Sequence, residues 1–236
     1  MTGPFETESP AGSLPVGDGP NRLVLLPTGA AFSPGEQALF VADCHLGKAA
    51  HLRSGGLALP DGETVQDLGN LSRDLRATHA RRLIVLGDLF HGQASLADPV
   101  RAAIDVWRCD WPGLDWCLVP GNHDRCLAEL PASWNLGILP AGMDLGPFRL
   151  VHAPLAEASV ARLTLSGHLH PAIRLRERGA ASRSGGLRVP VFWYQRNLHQ
   201  WVLPAYGSFT GTAVIQPRTG DTTCLLGGGR VVRMKG

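Results

Sequence analysis

At 236 residues, with 44% apolar and 18% charged side chains, the chain is long enough for one domain with a sizeable core and too balanced for a fibrous or disordered protein. A net charge of +2 announces no global nucleic-acid surface. Five cysteines (Cys44, Cys109, Cys117, Cys126, Cys224), odd in number and without a Cys-x-x-Cys pair, argue against a disulfide framework or a zinc ribbon.

In chain order, "MTGPFETESPAGSLPVGDGPN" is polar and turn-rich. It reads as a flexible tail over residues 1–21 rather than a leader, with residues 22–236 forming a single domain. "RLVLLPTGAAFSP" predicts an early strand and turn at a sheet edge. Apolar runs followed by turns then recur: "ALFVAD" (38–43), "RLIVLGD" (82–88), "WCLVPGN" (116–122), "FRLVHAP" (148–154) and "LTLSGH" (163–168). Runs apolar on both sides suit strands covered on both faces. Between them, Val65, Leu68, Leu71 and Leu75 predict a helix over 62–79. Val100, Ile104 and Trp107 predict another over 95–108, with Ser95 as N-cap. After His170, "VPVFWYQ" and "HQWVLPAYGSFTG" read as strands linked through Arg196 and Asn197, and the Gly/Ser/Arg segment 177–188 as a mobile loop. The alternation argues for an α/β layered fold. The longest apolar stretches, "LIVLGDLF" and "LVLL", fall far short of the ~20 residues that span a bilayer, so no membrane partner is expected and the cytoplasm is the expected location.

The informative fact is how the five runs end: in Asp43 and His45, in Asp88, in Asn122 and His123, in His152, and in His168 and His170. Ligand sites of open α/β sheets lie at the carboxyl ends of strands, and residues two apart in extended chain share a side. One Asp-x-His is an ordinary turn; the same placement on five strands is not. Imidazole nitrogens with carboxylate and amide oxygens, and no thiolate, suit Mn, Fe or Zn. Seven such side chains, leaving His123 aside, exceed the needs of one ion and suit two.

In this order, "DCH", "GD", "GNHD", "VHAP" and "GHLH" resemble the motifs of the calcineurin-like metallophosphoesterase superfamily. The resemblance implies a β-sandwich flanked by α-helices, with a dinuclear metal site at the C-terminal ends of the strands. It implies that Asp43, His45 and His170 hold one metal, that Asn122, His152 and His168 hold the other, and that Asp88 bridges them. A bridging hydroxide would be the nucleophile, and His123 would act as acid or transition-state stabiliser. Two divalent ions are expected, Mn2+ first, with Fe or Zn as alternatives. Many members read Gly-Asp-x-x-Asp where this chain has "GDLFH", so His91 is expected beside the ligands rather than among them. Asp124 is expected either to orient His123 or to serve as a turn carboxylate.

"VADCHLGK", "GDLFH" and the late "PVFWY" and "LPAYGSFTG" further resemble the bacterial ligase-associated DNA-damage-response endonuclease group. That implies a metal-dependent phosphodiesterase or endonuclease acting on DNA, with a DNA ligase and a helicase as functional partners. The residues add local support. Arg174, Arg176, Arg178, Arg183, Arg188 and Arg196 face a single Glu177 between 174 and 196, and Arg53 and Arg125 follow two metal motifs. Trp193 and Tyr194 would stack bases or pack in the strand. The alternatives are a phosphodiesterase of a small nucleotide or nucleotide-linked lipid precursor, whose members typically read Gly-Asn-Arg-Asp, and a non-catalytic scaffold of the same fold, which tends to lose ligands.

Overall fold

A computed structural model describes residues 9–124, 130–159, 162–176 and 186–234. The strands and helices run β1 Leu14–Val16, β2 Leu23–Leu25, β3 Ala31–Ser33, β4 Ala38–Val41, α1 Lys48–Ser54, α2 Glu63–Thr78, β5 Arg82–Leu86, α3 Asp98–Asp110, β6 Asp115–Val119 and β7 Leu136–Ile138. They continue with β8 Met143–Leu145, β9 Phe148–Leu150, β10 Leu163–Ser166, β11 Pro171–Leu175, β12 Leu187–Gln195, β13 Gln200–Val202, β14 Ala213–Val214, β15 Thr222–Gly227 and β16 Arg230–Arg233.

β1 to β7 form one sheet in sequence order, antiparallel up to β4 and parallel from β4 to β7. The second sheet runs β14-β11-β12-β13-β10-β9-β8, with β15 and β16 extending from β12. The continuous apolar runs are explained by what covers the first sheet. Leu39, Val41, Leu83, Val85, Trp116 and Leu118 point to a core shared with Leu68, Leu71 and Leu75 of α2 and Val100, Ile104 and Trp107 of α3. The alternate residues Phe40, Ile84, Leu86 and Val119 point to a second core, shared with Phe148, Leu150, Leu165, Phe192 and Trp201 of the other sheet. A period-2 strand buried on both faces needs apolar residues at every position. The α-helices add nothing to the core between the sheets among the described residues, so they flank the sandwich on the first sheet's outer side.

Four local expectations are corrected. The edge strand is β1, inside the segment read as a tail, because Leu14–Val16 pairs with β2; "RLVLLPTGAAFSP" supplies interior strands. Ser95 closes a short 3-10 turn. The α3 N-cap is Ala97, which makes no side-chain bond, and the helix starts on Asp98 and Pro99, residues suited to a first turn. Val65 is 63% exposed, lying in the first turns of α2 beside Ala102 and Val106 in an open groove. Residues 177–185 of the basic segment lie outside the described residues, whereas Leu187 and Arg188 belong to β12.

Candidate metal centre

The five strand ends do converge, but on a rim shared by two sheets. β4, β5 and β6 deliver Asp43, His45, Asp88, Asn122 and His123 from the first sheet; β9 and β10 deliver His152, His168 and His170 from the second. The extended-chain argument for Asp43 and His45 is replaced by another geometry. β4 ends at Val41, and both residues sit in the left-handed region, with φ of 52° and 46°. Asp88 (51°), His168 (70°) and His170 (45°) do the same. Each such non-glycine residue costs about 1–2 kcal/mol, which surrounding bonds must over-determine. They do so here by lacing one motif to the next: Asp43 N–H donates to Gly87 O (3.1 Å), His45 N–H to Asp88 O (2.9 Å) and Leu46 N–H to Leu89 O (2.8 Å).

The motif glycines make this lacing sterically feasible. A Cβ on Gly87 would strike the His152 ring, one on Gly121 the Asp88 carboxylate, and one on Gly167 the Asp43 carboxylate and Ala42. The expectations built on polar side chains did not include these three. A glycine immediately before each polar residue was the available signal.

Two donor groups result: Asp43, His45 and His170, and Asp88, His152 and His168, each within 4.8 Å internally. Their protonation follows from their partners. His152 Nδ1 lies 3.1 Å from Leu86 O and His170 Nδ1 3.0 Å from Gly211 O; carbonyls only accept, so in each neutral ring the proton sits on Nδ1 and the lone pair on Nε2. His152 Nε2 then faces Asn122 Oδ1 at 3.1 Å, His168 Nδ1 at 3.0 Å and Asp88 Oδ2 at 3.6 Å. His170 Nε2 faces Asp43 Oδ1 at 3.5 Å, and that oxygen is buried without a hydrogen-bond partner. His45 Nε2 lies 3.9 Å from Asp88 Oδ2, which therefore stands between the two groups.

Asp43, His45, Asp88 and His152 are buried, and lone pairs and carboxylate oxygens facing one another there are unfavourable unless a cation lies among them; Asn122 and His168 stand exposed at the mouth. The spacing agrees: ligand atoms ~2.1 Å from one ion at right angles lie about 3.0 Å apart. The residues present fit divalent cations of the Mn, Fe or Zn kind. The His45 imidazole is lowered to about 2, first by burial and then by the charges of Lys48, His170, His91 and His123, which keeps it neutral and able to ligate. Burial opposes protonation of His170, but the Asp43 carboxylate outweighs it and raises that ring.

His123 is half-buried, its backbone N–H donates to Asp88 Oδ1 (2.9 Å), and its ring stacks on His91 (4.7 Å between centroids, 15° between planes). His91 Nδ1 lies 3.2 Å from His45 Nδ1, and burial, with Lys48 and His123, lowers it to about 4. Asp124 serves the turn: its oxygens accept Phe90 N–H (3.1 Å) and Gly121 N–H (2.8 Å), and burial raises its carboxyl against those bonds. Arg125 lies outside the described residues, as do Arg178 and Arg183. Arg174, half-buried in β11, and the exposed Arg176 follow His170 by four and six residues, roughly 13–20 Å along an extended chain. Arg53 is engaged locally with Asp61 (2.8 Å) and Pro60 O (2.7 Å). Trp193 donates its indole N–H to Asp221 and Tyr194 packs on Trp201, so both serve strand packing.

No protein-family model matches the chain, and no curated protein is significantly similar. Among solved structures it is similar to the nuclease MPE of Pseudomonas putida, with 32% identity and a TM-score of 0.76 over 94% of this chain and 100% of that one. A phosphoesterase from E. coli, Yfce, aligns over 81% of this chain and 88% of that one at 14% identity with a TM-score of 0.39, too loose a likeness to carry an argument.

Proposed function

The chain belongs to the metallophosphoesterase family, and on that premise we propose that it is a metal-dependent nuclease hydrolysing phosphodiester bonds of DNA. The observation that carries the reading is the position of Asp88 Oδ2, 3.9 Å from His45 Nε2 of one donor group and 3.6 Å from His152 Nε2 of the other. In this reading Asp43, His45 and His170 hold one divalent cation, Asn122, His152 and His168 a second, and Asp88 serves both. Such cations supply Lewis acidity to a phosphodiester and lower the pKa of water. The chain's own groups then act around them. His123, anchored through its backbone to Asp88 and stacked on His91, presents a ring nitrogen that gives a proton to the leaving oxygen. Arg174 and Arg176 meet backbone phosphates flanking the scissile one rather than the scissile phosphate itself.

The nuclease half of the proposal is supported by the 32% identical nuclease, which aligns over its full length. Mn2+ as the working ion, a place in the DNA damage response beside a ligase and a helicase, and a cytoplasmic location are supported by the motif resemblance alone. No described helix is long and apolar enough to cross a membrane. The test is Mn2+-dependent hydrolysis of bis-p-nitrophenyl phosphate and of labelled single-stranded and duplex DNA. Cleavage of both diester and DNA is expected. Hydrolysis of the small diester without DNA cleavage would redirect the assignment to a small nucleotide or lipid-linked substrate.

A further inference from the structure

Residues 204–211, "PAYGSFTG", leave β13 and run against the turn that carries Asp43 and His45. Tyr206 N–H donates to Ala42 O at 2.9 Å and Gly207 N–H to Asp43 O at 3.3 Å. Gly207 approaches the Cys44 carbonyl so closely that any Cβ would collide with it. Four residues on, Gly211 O accepts the Nδ1–H of His170, the bond that turns Nε2 toward Asp43 Oδ1. This strap therefore touches Asp43, the residue between Asp43 and His45, and His170, which together span the first donor group. Among the described residues no hydrogen bond joins it to Asp88, Asn122, His152 or His168 of the second.

Two carboxylates of α2 anchor the strap. Both oxygens of Asp67 lie in reach of Ser208 N–H (3.1 and 3.2 Å), and Asp74 Oδ2 accepts Tyr206 O–H (2.9 Å) and Thr28 O–H (2.7 Å). The two lie seven residues apart, about two turns, and so share a helix face. They are only 3% and 5% exposed, on a helix whose Leu68, Leu71 and Leu75 already do its packing. Burying a carboxylate is costly unless it holds a bonded partner in place.

We propose that Asp67 and Asp74 are positioning residues which, through the 204–211 strap, set the geometry of Asp43, His45 and His170 directly, and reach Asp88, Asn122, His152 and His168 only through those residues. The inference rests on the reading that each group holds a cation. It assigns an asymmetry between the two cation sites to one structural element.

The experiment titrates metal-free protein with Mn2+, following free Mn2+ by electron paramagnetic resonance and heat by calorimetry, for wild type, Asp67→Ala, Asp67→Asn and Tyr206→Phe. Wild type should take up two ions. Asp67→Ala should bind one ion about 10–100-fold more weakly and lose clearly less affinity for the other. Asp67→Asn, which retains one acceptor oxygen, should restore part of that loss. Tyr206→Phe, lacking only a hydroxyl, should weaken the same site and carries the test if Asp67→Ala does not fold. Equal weakening at both sites, or none in folded variants, overturns the inference. Uptake of fewer than two ions by wild type overturns the reading of the site itself, and the inference with it.

Discussion

His168 donates its backbone N–H to Asp43 Oδ2 at 2.7 Å, joining residues 125 positions apart and one sheet of the sandwich to the other. One oxygen of Asp43 is thereby gripped, while Oδ1 stays buried and unpartnered. Asp88 repeats the arrangement: Oδ1 accepts His123 N–H, and Oδ2 turns to His45 and His152. Each carboxylate is oriented by the backbone of another motif without consuming the oxygen that faces the cluster.

The glycine before Asn122 gives a steric test. Gly121 has no Cβ because the Asp88 carboxylate occupies that space. Gly121→Ala should push Asp88 out of line, lower Mn2+-dependent diester hydrolysis by at least about 100-fold and leave the circular-dichroism spectrum unchanged. Near-wild-type turnover would mean that the position of Asp88 is not critical.

Much of this site was legible because an apolar run that stops abruptly at a metal-competent residue is a local signal, and Asp43, Asp88, Asn122, His152 and His168 each carry it. What was not legible is non-local. Nothing in "FRLVHAP" says that its strand pairs in a different sheet from "RLIVLGD", since both runs are equally apolar. The left-handed backbone at Asp43 and His45 depends on carbonyls of Gly87 and Asp88 that arrive from another strand. "LPAYGSFTG" reads only as a strand because, apart from the Tyr206 hydroxyl on Asp74, its bonds to Ala42, Asp43 and His170 are made by backbone N–H and C=O groups, which every sequence has.

Burial makes Asp67 a pH-sensitive contributor to stability. Its carboxyl is pushed up from 3.8 to about 6, first by burial, with the Ser208 bonds pulling the other way. An acid whose folded pKa exceeds its unfolded value stabilises the fold fully below about pH 4, and that contribution is lost as pH rises through about 6. The melting temperature of metal-free wild type, measured relative to Asp67→Asn, should therefore rise as pH falls from 7 to about 4.5. A pH-independent difference would show that Asp67 ionises in the fold without penalty.

The core between the sheets has its own prediction. Phe40 is fully buried and meets the edge of Phe148 at 5.6 Å between centroids. Phe40→Ala should destabilise by about 3–5 kcal/mol in denaturant unfolding. A loss under about 1 kcal/mol would argue that the two sheets do not share this core.

If Arg174 and Arg176 track flanking phosphates, reversing both to Glu should reduce DNA cleavage by about tenfold and flatten its salt dependence, while bis-p-nitrophenyl phosphate turns over as before. Equal loss on both substrates would count against a phosphate-tracking role for Arg174 and Arg176.

The central claim is that Asp88 serves two cations at once, and Asp88→Asn tests it most directly. Replacing the carboxylate with an amide of the same shape removes one charge from between His45 and His152. The account predicts that Mn2+-dependent hydrolysis of bis-p-nitrophenyl phosphate falls by at least about 1,000-fold in a protein with unchanged circular dichroism. Hydrolysis within about tenfold of wild type would contradict it.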